Sequence, residues 1–274
     1  MATAGLVAGL LAMLADAGLG QAHSQAKLDA AYTVTLLGIP IGHGTWTVDV
    51  HETRFSATAN GETAGLMRVF AGGRGTAKAE GAMAGRQPVT SDYMLHVDAG
   101  HSTDELKILF NGGKAREYLT HPQPPDPSRV PVTDANRAGV LDPMTALLIR
   151  VPGNGDLAAP GSCQHKVAVF DGRMRYDLLL TFKRLVGVKV AGYQGPVVAC
   201  AVNFSPVAGY DPNRSAIKYL QAQRGIELWL APVSGTRLVV PFRLTVPTPL
   251  GPGVLQATRF VASPQRHAAA LSPN

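Results

Sequence analysis

Long stretches of this chain alternate apolar and polar residues with a period of two. The clearest runs from Ile41 to Glu52, where Trp46, Val48 and Val50 fall on one face and Thr45, Thr47, Asp49 and His51 on the other. Successive side chains of an extended strand point to opposite faces, so the pattern predicts a half-buried strand. Ala30 to Leu37 before it, with Tyr32, Val34 and Leu36 on one face, and Arg54 to Asn60 after it read the same way. Further strands are predicted over 74–82, 87–97, 105–110, 115–121, 166–170, 173–183, 186–190, 196–203, 225–231, 237–246 and 254–261. Asn111-Gly112-Gly113 and Asp171-Gly172 each sit between two such runs, and both read as tight type I′ hairpin turns.

Two segments break the period. Leu66, Met67 and Phe70 fall at helical spacing within Ala64 to Phe70, predicting a short helix or bend. Asp142-Pro143 before Met144, Leu147 and Leu148 predicts a second short helix, with Asp142 as N-cap and proline in its first turn. Five prolines between His121 and Pro131 exclude a central strand or a helix interior. That loop, 121–132, divides the chain into two halves.

The predicted fold class is all-β with one or two short helices, because no β-helix-β unit repeats. So many strands joined by hairpins must curl to bury one face. The expected result is a curled antiparallel sheet forming an open barrel or β-spiral; a two-sheet β-sandwich is the alternative. Glycine (30) and proline (20) are abundant among the 274 residues, which suits a fold with many turns.

The N-terminus has a different character. Gly5 to Leu14 is an apolar run too short to span a bilayer, followed by small residues suited to cleavage after Ala22 or Ala26. Residues 1–26 therefore read as a secretory signal peptide, although no Lys or Arg precedes Lys27. No cysteine follows the run, so a lipid-anchored form is not expected. Residues 27–262 form the expected single β-rich domain and 263–274 a disordered tail. The chain has two cysteines, Cys163 and Cys200, and in an exported protein they are expected to form one disulfide.

The net charge of +6 raises nucleic acid as a partner, but the basic residues are scattered singly and no recognition motif accompanies them. No nucleic acid partner and no integral membrane span in the mature chain are expected. His43 and His51 lie about 26 Å apart along one strand, too far to share a metal. His96 and His101 flank a turn but read as exposed polar residues. No G-x-S-x-G elbow or phosphate-binding loop occurs, and Gly72-Gly73-Arg74-Gly75 reads as a turn. No catalytic residue, metal or cofactor is expected.

One set of landmarks resembles a known family. The Tyr32-x-Val34 strand leads into Gly38-Ile39-Pro40-Ile41-Gly42. The segment Asp142 to Leu148 follows a proline-rich loop. Val167 to Phe170 leads into Asp171-Gly172-Arg173-x-Arg175-Tyr176, and Glu227-Leu228-Trp229-Leu230 precedes Pro241. Over roughly residues 30–260 this is similar to the bacterial family called domain of unknown function 3108. The resemblance implies an exported, β-rich protein without established activity, similar in kind to open periplasmic barrels that handle lipids or lipoproteins.

The expectation is a non-catalytic periplasmic envelope protein that binds a lipid, a lipoprotein segment or an envelope protein inside its curled sheet and maintains envelope integrity. Trp46, Leu66, Met67, Phe70, Met144, Leu147 and Trp229 are the candidate residues of the apolar interior. An envelope-acting hydrolase and a scaffold pairing strands at an open sheet edge are the alternatives.

Overall fold

The computed structural model describes residues 25–64, 72–83, 85, 87–100, 102–120 and 126–264. Seven strands run in sequence order through the first half: β1 (Ala26–Leu36), β2 (Ile39–Val50), β3 (Arg54–Thr63), β4 (Arg74–Ala82), β5 (Val89–Asp98), β6 (Thr103–Asn111) and β7 (Lys114–Thr120). After the two-residue β8 (Ile149–Arg150), a second meander follows: β9 (His165–Phe170), β10 (Arg175–Val190), β11 (Tyr193–Ala208), β12 (Glu227–Pro232), β13 (Leu238–Thr248) and β14 (Gly251–Pro264). The helix α1 (Ser215–Ala222) connects β11 to β12.

All neighbours pair antiparallel in the order β7-β6-β5-β4-β3-β2-β1-β14-β13-β12-β11-β10-β9, with β8 beside β13. The first and last strands thus join the two meanders, from Ala26 opposite Pro264 to Leu36 opposite Gly253. The result is a nearly closed 13-strand antiparallel barrel, and the two-sheet alternative is excluded by the single sheet. The seam between β7 and β9 is spanned by a strap. Val140 N–H donates to Gly113 O at 3.1 Å, Leu141 N–H to Ala168 O at 2.9 Å, and Phe170 N–H to Leu141 O at 2.9 Å. Arg173 reaches over the same seam to Asp104 at 2.6 Å.

The interior follows the alternation read from the sequence. Leu28, Ala30, Val48, Val50, Phe55 and Ile108 are buried in one cluster. The second meander differs, because consecutive residues Val197, Val198, Ala199 and Cys200 are all buried. Val197, Ala231 and Val240 join the first cluster, while Val198, Leu230 and Val239 join a second with Ile149 and Cys163. This part of the sheet is therefore covered on both faces. The Cys163–Cys200 disulfide clips the covering segment to β11. The β10–β11 tip folds against β14, where Phe260 N–H donates to Ala191 O at 2.8 Å. There the Tyr193 ring packs on Phe260 and Phe242, with centroids 5.5 and 6.0 Å away.

Several local expectations are corrected. The segment after Asp142 is a single 3-10 turn, Thr145–Leu147, because the chain must straighten at once into β8 against β13. The Asp171-Gly172 pair does not form a two-residue turn: Phe170 pairs with Arg175, leaving a four-residue turn. The Asp171 carboxylate accepts from the N–H groups of Arg173 (2.9 Å) and Met174 (2.6 Å) and so fixes that longer turn. The two strands expected over 173–183 and 186–190 are one strand, β10, bent by a bulge at Phe182–Arg184. The helix α1 was not predicted. The bend expected at Leu66, Met67 and Phe70 and most of the expected signal segment and tail, residues 1–24 and 265–274, lie outside the described residues; Ala26 opens β1, and Ser263 and Pro264, expected in the disordered tail, end β14.

The β1–β2 turn is strained. Leu37 holds φ +54° and Gly38 φ +81°, the left-handed pair that Asn-Gly satisfies best. A left-handed conformation costs an L-residue other than glycine or asparagine about 1 kcal/mol. Leu37→Asn is therefore expected to stabilise the fold by up to about that amount, read as a higher midpoint in urea unfolding.

Candidate functional site

Two apolar cavities lie side by side at one end of the barrel. The first, about 360 Å³, is bounded by Tyr32 and Val34 of β1, Trp46 of β2, Leu95 of β5, and Met144 and Leu147 of the segment that crosses the interior. One wall of it is unusually thin in side chains. Gly44 of β2, Gly61 of β3 and Gly75 of β4 stand in register across three strands, and Ala59 pairs with Ala77 in the next row. Trp46 shares the second row with Ala59 and Ala77 and also lines the cavity. A larger side chain at Ala59 or Ala77 would occupy the space the cavity now holds.

The second cavity, about 440 Å³, lies between α1 and the inner face of β10–β13. Leu178 and Leu180, Val202 and Phe204, and Leu228 and Leu244 line it, with Ile217 and Leu220 of α1 opposite. Both cavities share Leu147, Pro241 and Leu255 as walls. Pro241 sits at a β-bulge where β13 skips Phe242 against β12. Its free carbonyl accepts from the Tyr32 hydroxyl at 2.8 Å. Burial pushes the Tyr32 phenol above its ordinary value, so it remains a neutral donor. Trp46 Nε1, by contrast, is buried with no hydrogen-bond partner among the described residues.

Polar groups beneath the cavities serve as structural caps. Asp142 is fully buried; burial pushes its carboxyl upward, and hydrogen bonds from Thr145, Thr90 and Met144 oppose that shift. Asp171 is shifted upward by burial against its turn N–H groups, and it is the one charged residue among those described that line the larger cavity. Burial, with the neighbouring Asp142 and Asp171 charges, raises the phenols of Tyr93 and Tyr176. Both oxygens of Asp142 and one oxygen of Asp171 accept from backbone or hydroxyl donors, an arrangement that shapes turns. Among the described residues, no three His, Cys, Asp or Glu side chains are grouped to hold a metal ion.

The structure brings together Trp46, Met144 and Leu147 of the residues singled out in the sequence. Trp229 lines neither cavity: it stands on the opposite face of β12 from Leu228, between the guanidinium groups of Arg184 (5.8 Å) and Arg243 (5.1 Å). Leu66, Met67 and Phe70 lie outside the described residues. His43 pairs with Glu62 at 2.7 Å and His96 with Glu105 at 3.1 Å, and both histidines line one surface pocket. His51 follows the end of β2, and His101 is outside the described residues. Tyr32, Leu255 and the leucines of β10, β12 and β13 were missed as lining, although their alternation marked an inward face.

Glu227, on the Trp229 face, accepts from Arg184 at 2.7 Å, Lys183 at 2.5 Å and Trp229 Nε1 at 2.5 Å. These partners, Arg184 first, hold its pKa at about 2. A depressed carboxylate stabilises the fold above its unfolded pKa and loses that contribution as pH falls through the folded value. Glu227→Gln is thus expected to be less stable than the parent at neutral pH by about 1–2 kcal/mol, after discounting for screening. The gap should close as pH falls from about 4.5 toward 2, measured by urea unfolding across that range.

No helix among the described residues is long and apolar enough to cross a membrane. In overall shape the chain is similar to the crystal structure of a β-barrel-like protein of domain of unknown function DUF1849 from Brucella abortus. The TM-score is 0.45 at 9% identity, over 88% of this chain and 98% of that one. No curated protein matches the chain. The match to a family described as protein of unknown function (DUF3108) covers residues 31–258, nearly the whole barrel from β1 into β14, and the chain belongs to that family.

Proposed function

We propose that the protein is an exported, non-catalytic envelope protein of the periplasm that holds the apolar part of a lipid or lipoprotein in its paired cavities. The observation that carries this reading is the pair of abutting cavities, about 360 and 440 Å³, whose surfaces are mostly apolar although His43, Thr45, Asn60 and Thr76 border the first and Asp171 the second. Each falls within the usual range for small-molecule sites, roughly 300–1,000 Å³. The disulfide fits an oxidising compartment. Of the two cleavage positions, the one after Ala22 leaves β1 whole, whereas cleavage after Ala26 removes a residue that is fully buried. The buried carboxylates Asp142 and Asp171 are engaged as caps, so neither favours a hydrolase.

Native mass spectrometry of gently purified protein, with organic extraction of the same sample, tests the reading. A bound lipid is expected in the parent. Ala77→Phe, placed on the small-residue wall, is expected to reduce uptake of a fluorescent fatty acid about fivefold or more while the barrel still folds, since it fills existing space. Polypeptide mass alone, together with unchanged uptake in the variant, would count against it.

A further inference from the structure

We infer that the protein docks on a lipid bilayer through the tips of two neighbouring hairpins, β1–β2 and β13–β14. Leu37 and Ile39 are each 61% exposed and Leu250 is 69% exposed, the most exposed large apolar side chains among the described residues. The two tips touch. Leu37 N–H donates to Pro252 O at 3.1 Å, and the Leu37 side chain lies where a Cβ on Gly251 would stand, 2.2 Å from its Cδ2. Their apolar residues therefore form one protrusion.

Three further properties suit this protrusion to a low-dielectric medium. No Lys, Arg, Asp or Glu occurs in residues 30–42 or 244–258, so the ends of four adjacent strands carry no charge. Most backbone donors at the tips are absent or engaged, Gly38 N–H excepted. Pro40, Pro249 and Pro252 have no N–H, Leu37 N–H is bonded as above, and Leu250 N–H donates to Thr248 Oγ1 at 3.3 Å. The Thr248 hydroxyl in turn donates to Gly251 O at 2.7 Å. Inserting such a tip therefore carries fewer unpartnered N–H groups into hydrocarbon, where each is costly. Finally, an aliphatic residue occupies the left-handed position at Leu37, where a polar Asn or a Gly fits with less strain.

The shape favours a bilayer over a protein. Three side chains on two turn tips are convex and small, whereas a stable protein interface takes about 800 Å² from each partner. A bilayer accepts isolated aliphatic protrusions, and the binding grows with the apolar area inserted. The tips also stand at the end of the barrel where Val34, Leu255 and Val246 line the cavities. The inference rests on the turns alone and does not depend on what the cavities hold.

Cosedimentation with phosphatidylcholine vesicles, with and without phosphatidylglycerol and at low and high salt, is the test. The parent is expected to bind both kinds of vesicle and to remain bound at high salt, because insertion is apolar. The double variant Leu37→Asn and Leu250→Asn is expected to bind about tenfold more weakly or less. Leu37→Asn alone should keep or raise the unfolding midpoint, separating lost binding from lost folding. Absence of vesicle binding, equal binding by the double variant, or binding abolished by salt would each overturn the inference. Capture of a protein through the tips without vesicle binding would overturn it as well. Lipid retained inside the barrel should be the same in parent and double variant, so the cavity reading succeeds or fails separately.

Discussion

Replacing Cys163 and Cys200 with alanine is expected to cost about 3–4 kcal/mol of folding stability. The bridge closes a loop of 37 residues, Cα to Cα 5.5 Å, between the 3-10 turn Pro160–Cys163 and the middle of β11. That loop contains β9, β10 and the first half of β11, so opening it frees a large part of the second meander in the unfolded chain. The bridge also holds the segment that covers Val198, Leu230 and Val239. Urea unfolding of parent and double variant, with and without reductant, measures the effect. Reductant should bring the parent to the level of the variant and leave the variant unchanged. A reduced parent as stable as the oxidised one would refute the estimate.

Asp142→Ala is expected to be nearly as damaging, about 3–4 kcal/mol. One carboxylate oxygen accepts from the N–H groups of Met144 (2.8 Å) and Thr145 (3.0 Å), and the other from the Thr90 hydroxyl at 2.6 Å. Alanine strips these donors of partners in a place closed to water. It also releases the turn that carries Met144 and Leu147 into the cavity, so uptake of an apolar probe should fall with stability. Asp142→Asn keeps an acceptor for the two N–H groups and lets the Thr90 hydroxyl turn to accept, so it should lie within about 1 kcal/mol of the parent. The two side chains should diverge with pH. Burial raises the Asp142 pKa in the folded state, so its stabilising contribution is complete below the unfolded pKa and is lost as pH rises through the folded value. The asparagine variant should therefore gain on the parent between acid and neutral pH, measured by urea unfolding at both.

The parts of this fold that were legible in the sequence are those set by local chemistry. Period-two alternation placed β1 and β2 because Trp46, Val48 and Val50 share one covered face. Asn111-Gly112-Gly113 gave the β6–β7 hairpin because both glycines take positive φ. Asp142 acted as a cap, as its position before Pro143 implied. Asp171-Gly172 misled, because a hairpin turn is chosen jointly by its residues and by the register of the strands. Here the carboxylate reached two N–H groups further along and won the longer turn. Helix α1 was illegible because none of its residues is fully buried, leaving only a faint apolar stripe from Ile217 and Leu220. Among the candidate residues, Trp46, Met144 and Leu147 line one cavity. Trp229 stands on the other face of β12, because β11 to β13 are covered on both sides and hydrophobicity there does not distinguish the two faces. The cavities themselves were not legible. They arise from what is missing at Gly44, Gly61, Gly75, Ala59 and Ala77, and an absence of bulk has no meaning until the register of three strands is known.

The strap across the seam has a mechanical consequence. In a cylinder closed by strand pairing throughout, the number of strands and their stagger fix the girth. Here the circumference is completed between β7 and β9 by a short irregular stretch and a few main-chain bonds from Val140, Leu141 and Phe170. Unlike in a sealed tube, then, strand count and stagger do not by themselves set the calibre here; the length of that stretch enters as well.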